Sequence, residues 1–165
     1  MGGRACAQRC ILNLPEHYHD LLQQAQGLFA VTRDPVANAA NLSALIWQGL
    51  PELNWAGFYF RKADTLVLGP FQGKPACVLI PMGKGVCGTA AQSGKTIIVP
   101  DVHAFPGHIA CDSDSKSEIV IPLMRDGKVV GVLDLDSPRA NRFDAGDAAG
   151  LDALARAWVA ASDPG

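Results

Sequence analysis

The chain has 165 residues, 48% of them hydrophobic, and a formal net charge of −2; that suits one domain with a full core and offers no basic field for nucleic acid or an anionic membrane. Its longest apolar runs, such as KTIIVP and KVVGVLDL, are far shorter than a bilayer span, and the start MGGRACAQRC lacks the apolar stretch of a secretion signal, so a cytoplasmic protein is expected. Five cysteines, an odd count in such a chain, argue against a static disulfide framework and point to redox or metal chemistry.

Residues 1–14 are expected to form a flexible N-terminal segment, as chain ends commonly do, with Cys6 and Cys10 as incidental thiols. Residues 15–31 place Leu21, Leu22, Ala25, Leu28 and Phe29 on a helical stripe. Asp34 caps a second helix, with Pro35 at its first position and apolar residues running on to Leu50. From Asn54 the period changes. NWAGFYF, TLVLGPF, ACVLIP, TIIVP, EIVIPLM and VVGVLDLD are short β-rich runs separated by turn residues such as GKG and DG. Asp144 then caps a last amphipathic helix through Leu151, Leu154, Ala155, Trp158 and Val159. Helices, then about six strands, then a helix predict a single α+β domain with a mainly antiparallel sheet flanked by helices. The loop over residues 101–117 is long enough to hold a site.

That loop contains HIACDSDSKSE, which sets Cys111 among small polar residues, the surroundings of a reactive thiol rather than of a core one. GKGVCG at residues 83–88 has the letters of a dinucleotide fingerprint, but the helix it opens is too short for a βαβ crossover. A tight glycine turn into a short helix is expected instead. It puts Cys87 near a helix N-terminus, where its pKa should be lowered. His103, His108 and Cys111 are zinc-ligand types at a spacing that fits no zinc pattern, and no metal is expected.

The period of two in VVGVLDLDSP sets Val132, Asp134 and Asp136 on one face and Leu133 with Leu135 on the other. Where Glu118 points depends on the hairpin MRDGK. A two-residue turn pairs Arg125 with Lys128 and sets Glu118 opposite Leu135, mixing acidic and apolar side chains on both faces. A three-residue turn with Gly127 as a left-handed bulge pairs Met124 with Lys128 and sets Glu118 opposite Asp134. It also gathers Ile119, Ile121, Leu123, Leu133 and Leu135 on one apolar face, so this register is expected. Three carboxylates then share a face, the opposed pair about 5 Å apart at Cβ, which destabilises unless a cation or a shared proton lies between them. On the first strand, Trp55, Gly57 and Tyr59 share a face, and the two aromatics are expected to form a half-open wall with wet polar tips. If it meets the acids, it suits a ligand with a small apolar group at one end and an amine at the other.

LNWAGFYF, LVLGPFQGKPAC, GKGVCGTAA, VPDVHAFPGHIACDSDSKSEIVIPL and GVLDLDSP together resemble the free methionine-(R)-sulfoxide reductases, enzymes built on the GAF domain. The resemblance runs from about the second helix to Pro138 and implies a GAF-like catalytic domain over residues 15–165. It implies that Cys111 is the nucleophile, that Cys77 is the resolving cysteine and that Cys87 is an auxiliary or alternative resolver. It also implies that Trp55 and Tyr59 line the pocket for the S-methyl end, while Glu118, Asp134 and Asp136 hold the substrate amine and assist proton transfer. Three carboxylates so close cannot all ionise easily, which makes Glu118 or Asp136 the expected proton donor. Free methionine sulfoxide as substrate, no bound cofactor and a thioredoxin-type dithiol as external reductant follow from the same resemblance. The terminal helices offer the face for a homodimer. The competing expectation is a non-catalytic GAF sensor that binds a small molecule.

Overall fold

The alternating runs form eight- to ten-residue central strands and three-residue edges: β1 Trp55–Lys62, β2 Thr65–Gly73, β3 Leu79–Pro81, β4 Ile97–Val99, β5 Ser117–Arg125 and β6 Lys128–Ser137. In this computed structural model, which describes residues 14–109 and 111–165, they pair into one antiparallel sheet in the order β3-β2-β1-β6-β5-β4. The N-terminal segment with Cys6 and Cys10 lies outside the described residues. The runs ACVLIP and TIIVP yield only the short edge strands β3 and β4, each halted by a proline, Pro81 or Pro100, that has no N–H to continue a ladder.

Among the described residues four α-helices accompany the sheet: α1 Glu16–Phe29, α2 Pro35–Gly49, α3 Gly85–Ser93 and α4 Ala145–Ala161. The caps are the expected ones. Asp34 Oδ1 accepts from the Ala37 N–H at 2.7 Å, and Asp144 and Asp147 form a reciprocal capping box at the start of α4. Helices α1, α2 and α4 cover one face of the sheet, where Leu21, Leu22, Leu42, Leu151 and Trp158 meet Phe58, Ile121, Leu133 and Leu135. Each such large apolar side chain contributes about 1.5–3 kcal/mol by burial. The short α3 packs on the opposite face, against β5 and β6.

The β5–β6 hairpin departs from the expected register. Arg125 pairs Lys128, so the turn has two residues, Asp126 and Gly127, with φ of 50° and 76°. Both angles are left-handed, the primed turn whose twist matches that of the strands. Alone, this turn would put Glu118 opposite Leu135. The register shifts again between Leu123 and Met124, leaving Val130 as an extra residue on β6, and beyond this bulge Glu118 faces Asp136 and Ile119 faces Leu135. The expected partner Asp134 is therefore corrected to Asp136. The two registers differ by two residues, an even number, so Glu118, Asp134 and Asp136 still share a face.

Candidate active site

The sheet face opposite the three large helices carries the polar groups. Asp136 lies between Trp55 on β1 and Glu118 on β5, and in the next row Asp134 lies between Gly57 and Val120. Gly57 is bare for a reason: a Cβ there would come within 2.7 Å of the Phe71 Cα on β2. Trp55 stacks on Phe71 and on Tyr59, with ring centroids 5.2 Å and 5.8 Å away.

The aromatic wall is closed rather than half-open. Both rings are buried, and their polar tips meet backbone instead of water: Trp55 Nε1 donates to the Lys74 carbonyl at 3.2 Å and the Tyr59 hydroxyl donates to the Cys77 carbonyl at 2.9 Å. The segment after β2 folds over the wall because these two carbonyls satisfy donors that burial would otherwise leave unpaired.

Cys77, on that segment, is joined to Cys111 by a disulfide, which ties it to the long loop leading into β5. A polar clasp runs alongside. Lys74 Nζ lies 3.0 Å from Asp114 and 3.6 Å from Asp112, while Asn54 Nδ2 donates to Asp112 at 3.2 Å and to Ser115 at 3.0 Å. The cavity beneath is lined by Trp55, Tyr59, Cys87, Cys111, Glu118, Asp134 and Asp136. Cys77 joins this group through its disulfide.

Glu118 and Asp134 are each only 5% exposed. Burial pushes the carboxyl pKa values of Glu118, Asp134 and Asp136 well above the usual range, and their mutual repulsion adds to the shift. His108, from the Cys111 loop, brings Nε2 to 3.4 Å from Glu118 Oε2. Desolvation lowers the imidazole pKa while it raises that of the acid, so this contact joins neutral groups more readily than an ion pair. Asp134 Oδ1 has no hydrogen-bond partner among the described residues.

Cys87 corrects a second expectation. It is the third residue of α3, close to the positive end of the helix, yet burial and the nearby Asp134, Glu118 and Asp136 push its pKa well up. A helix terminus is worth about 0.3–1 kcal/mol, less than the cost of ionising a buried thiol among three carboxyl groups. Its Sγ lies 3.8 Å from Glu118 Oε1. The histidine and cysteine types considered for zinc do not assemble: His103 is exposed on a 3-10 turn and the Cys111 sulfur is in the disulfide. Lys74 and Asn54 escaped the sequence reading because their partners lie some 40 to 60 residues away, 40 for Lys74 to Asp114 and 61 for Asn54 to Ser115. His108 was legible only as a metal-ligand type.

A six-stranded antiparallel sheet with one helix and a long loop roofing a polar cavity is the architecture of a GAF domain, and the GAF domain family model matches residues 6–160, so the chain belongs to that family. Within it the chain is a member of the free methionine-R-sulfoxide reductases. It is 50% identical over 143 residues to the free methionine-R-sulfoxide reductase of Escherichia coli, covering 87% of each chain. It superposes with a TM-score of 0.85 and 46% identity on the free methionine-R-sulfoxide reductase from Neisseria meningitidis solved in complex with its substrate, again over 87% of both chains. Protein YtsP of Bacillus subtilis is 60% identical over 129 residues, 77% of this chain and 79% of that protein.

Proposed function

We propose that the protein reduces the R-sulfoxide of free methionine to methionine. The observation that carries this function is the Cys77–Cys111 disulfide lying across a cavity that holds three carboxyl groups, two of them buried, and an aromatic wall. The Cys111 thiolate attacks the sulfoxide sulfur. The oxygen takes up one proton and passes to the Cys111 sulfur as the substrate's S–O bond and the newly formed sulfur–sulfur bond break, and the products are methionine and the Cys111 sulfenic acid. The Cys77 thiol then displaces that hydroxyl, releasing water and forming the disulfide. A protonated Glu118 or Asp136 supplies the proton of the first step, since burial keeps these acids neutral to a higher pH than usual. Cys87 serves as an alternative resolver.

Trp55 and Tyr59 take the S-methyl end, and the ionised members of the acid group hold the α-amine. A peptide-bound methionine sulfoxide has lost that amine, and with it the charge the acids select. A dithiol of the thioredoxin type, in the cytoplasm, returns the disulfide to two thiols, and no bound cofactor enters the cycle. The test is turnover of free R sulfoxide, free S sulfoxide and a sulfoxide-containing peptide, each with a thioredoxin system as reductant. Rapid turnover of the free R form alone is expected. Equal turnover of the peptide would overturn the role given to the acids.

A further inference from the structure

Cys87 takes no part in the disulfide, yet it lies beside two acids, and among the described residues no lysine or arginine is buried with them; the nearest basic group is the His108 imidazole, on the far oxygen of Glu118. Its Sγ and one oxygen each of Glu118 and Asp134 lie within 4.8 Å of one another, all three residues buried. Tetrahedral zinc with bonds of about 2.3 Å to sulfur and about 2.0 Å to oxygen sets such donors about 3.3–3.5 Å apart. The Cys87 Sγ to Glu118 Oε1 separation of 3.8 Å is already close to that. Glu118 divides its oxygens: Oε1 faces Cys87 and Oε2 faces His108, so a cation on the first leaves the histidine to orient the carboxylate from behind.

The second, independent observation is Asp134. Its Oδ1 is buried without a partner among the described residues, on a residue 5% exposed that lines the cavity. Such an atom calls for a donor or a cation from outside the chain. The lysines lining the cavity, Lys74 and Lys84, are both exposed and neutralise nothing at its floor.

We infer that Cys87, Glu118 and Asp134 form a binding site for a borderline-soft divalent cation, zinc by its donor set, and that a bound ion excludes the substrate amine. A thiolate with two carboxylates favours zinc over magnesium or calcium, which take six or more oxygen ligands. The ion displaces the Cys87 proton and the protons shared among the acids. Because Cys87 is free when Cys77 and Cys111 are joined, the site exists in the oxidised protein. The competition with substrate, though not the metal site, rests on the function proposed above.

The experiment uses the full chain with Cys6→Ser and Cys10→Ser, air-oxidised, which leaves Cys87 as the single thiol among the three remaining cysteines. Cobalt(II) is the probe. Expected are a thiolate-to-cobalt charge-transfer band that saturates at one equivalent, its bleaching by zinc, and a loss of affinity of at least about tenfold in Asp134→Asn. No band, or a band that survives Cys87→Ser, would overturn the site; if Cys87→Ser does not fold, unchanged affinity in Asp134→Asn does the same. Saturating methionine should displace the cobalt. A band indifferent to methionine would overturn the shared occupancy, and it would do so whether or not sulfoxide turnover had been observed.

Discussion

Two buried carboxylates of this fold lead opposite lives. Asp147 at the start of α4 is 6% exposed, and both its oxygens are occupied: Oδ1 accepts from the Tyr18 hydroxyl at 2.6 Å, and Oδ2 from Arg142 at 3.2 Å and from the Asp144 N–H at 3.0 Å. Asp134 is 5% exposed, its neighbours are two further acids and a thiol, and one of its oxygens has no partner among the described residues. The first group is completed by the chain and tethers α1 to α4. On the function proposed here, the second is completed by what enters the cavity. Burial alone therefore does not mark a functional acid; what singles out Asp134 as a candidate is burial without satisfaction.

The sharpest way to break this comparison is to remove the chemistry while leaving both acids in place. Cys111→Ser should abolish turnover, a loss of at least about a thousandfold. Compared with reduced wild type, its thermal midpoint should move by less than about 2 °C, because no packed core side chain changes. Steady-state assays and calorimetry under a dithiol check both. Residual turnover within tenfold of wild type would transfer the attack to Cys87.

The next test sets the acids against each other. Asp147→Asn leaves Arg142, itself 10% exposed at the side chain, facing a neutral amide, and should cost about 3 kcal/mol. For a chain this size that is roughly 6–12 °C in thermal midpoint, with KM unchanged. Asp134→Asn should do the reverse: KM for the free sulfoxide rises at least about tenfold while the midpoint holds or climbs, since a repelled charge has been removed. Equal destabilisation by both would erase the distinction.

How much of this was legible in the sequence follows from the same contrast. Helix α4 and its cap, the apolar face through Ile119, Ile121, Leu133 and Leu135, and the common face of the three acids all follow from periodicity and local turn chemistry. Parity carries far: a register wrong by two residues keeps every side chain on its proper face. The partner of Glu118 was beyond reach because the bulge at Val130 leaves no mark in the letters. The buried tips of Trp55 and Tyr59 and the high pKa of Cys87 were missed for a related reason. Each depends on a segment distant in sequence that roofs the cavity and expels water, and a helix-terminus argument made from residues 83–88 alone had no access to that desolvation.

Acidity separates the two groups in a third way. Glu118, Asp134 and Asp136 are held above the ordinary carboxyl values, near 4, so above that pH the folded chain keeps protons that the unfolded chain has lost. Their contribution to stability must fall as pH rises from about 4 through the raised values. Asp144, beside Asp147, runs the other way: the Asp147 N–H holds its pKa down, so its contribution is present above about 4 and is lost as pH falls through the lowered value. Chemical unfolding between pH 4 and 8 should show Asp134→Asn gaining on wild type as pH rises. Parallel curves would mean that the cavity acids ionise freely.

The smallest effect belongs to Lys74, which joins the two cysteine segments from the outside. Its side chain is 65% exposed, as is that of Asp114 at 66%, and only Asp112, at 11%, is shielded. Exposed pairs of this kind are weak and screened by salt, so Lys74→Ala should leave the thermal midpoint within error. The clasp nevertheless spans the gap that the disulfide must close, and holding Cys77 near the Cys111 sulfenic acid matters only after methionine has formed. Rapid-quench mass spectrometry should show unchanged methionine release in a single turnover. Disulfide formation should slow by roughly two- to fivefold. In 1 M salt, where charges are screened beyond about 3 Å, wild type should slow to match the variant. Slower methionine release instead would place the Lys74 charge at the substrate, and the contrast between a chain-completed and a ligand-completed cluster would then extend to the cavity rim.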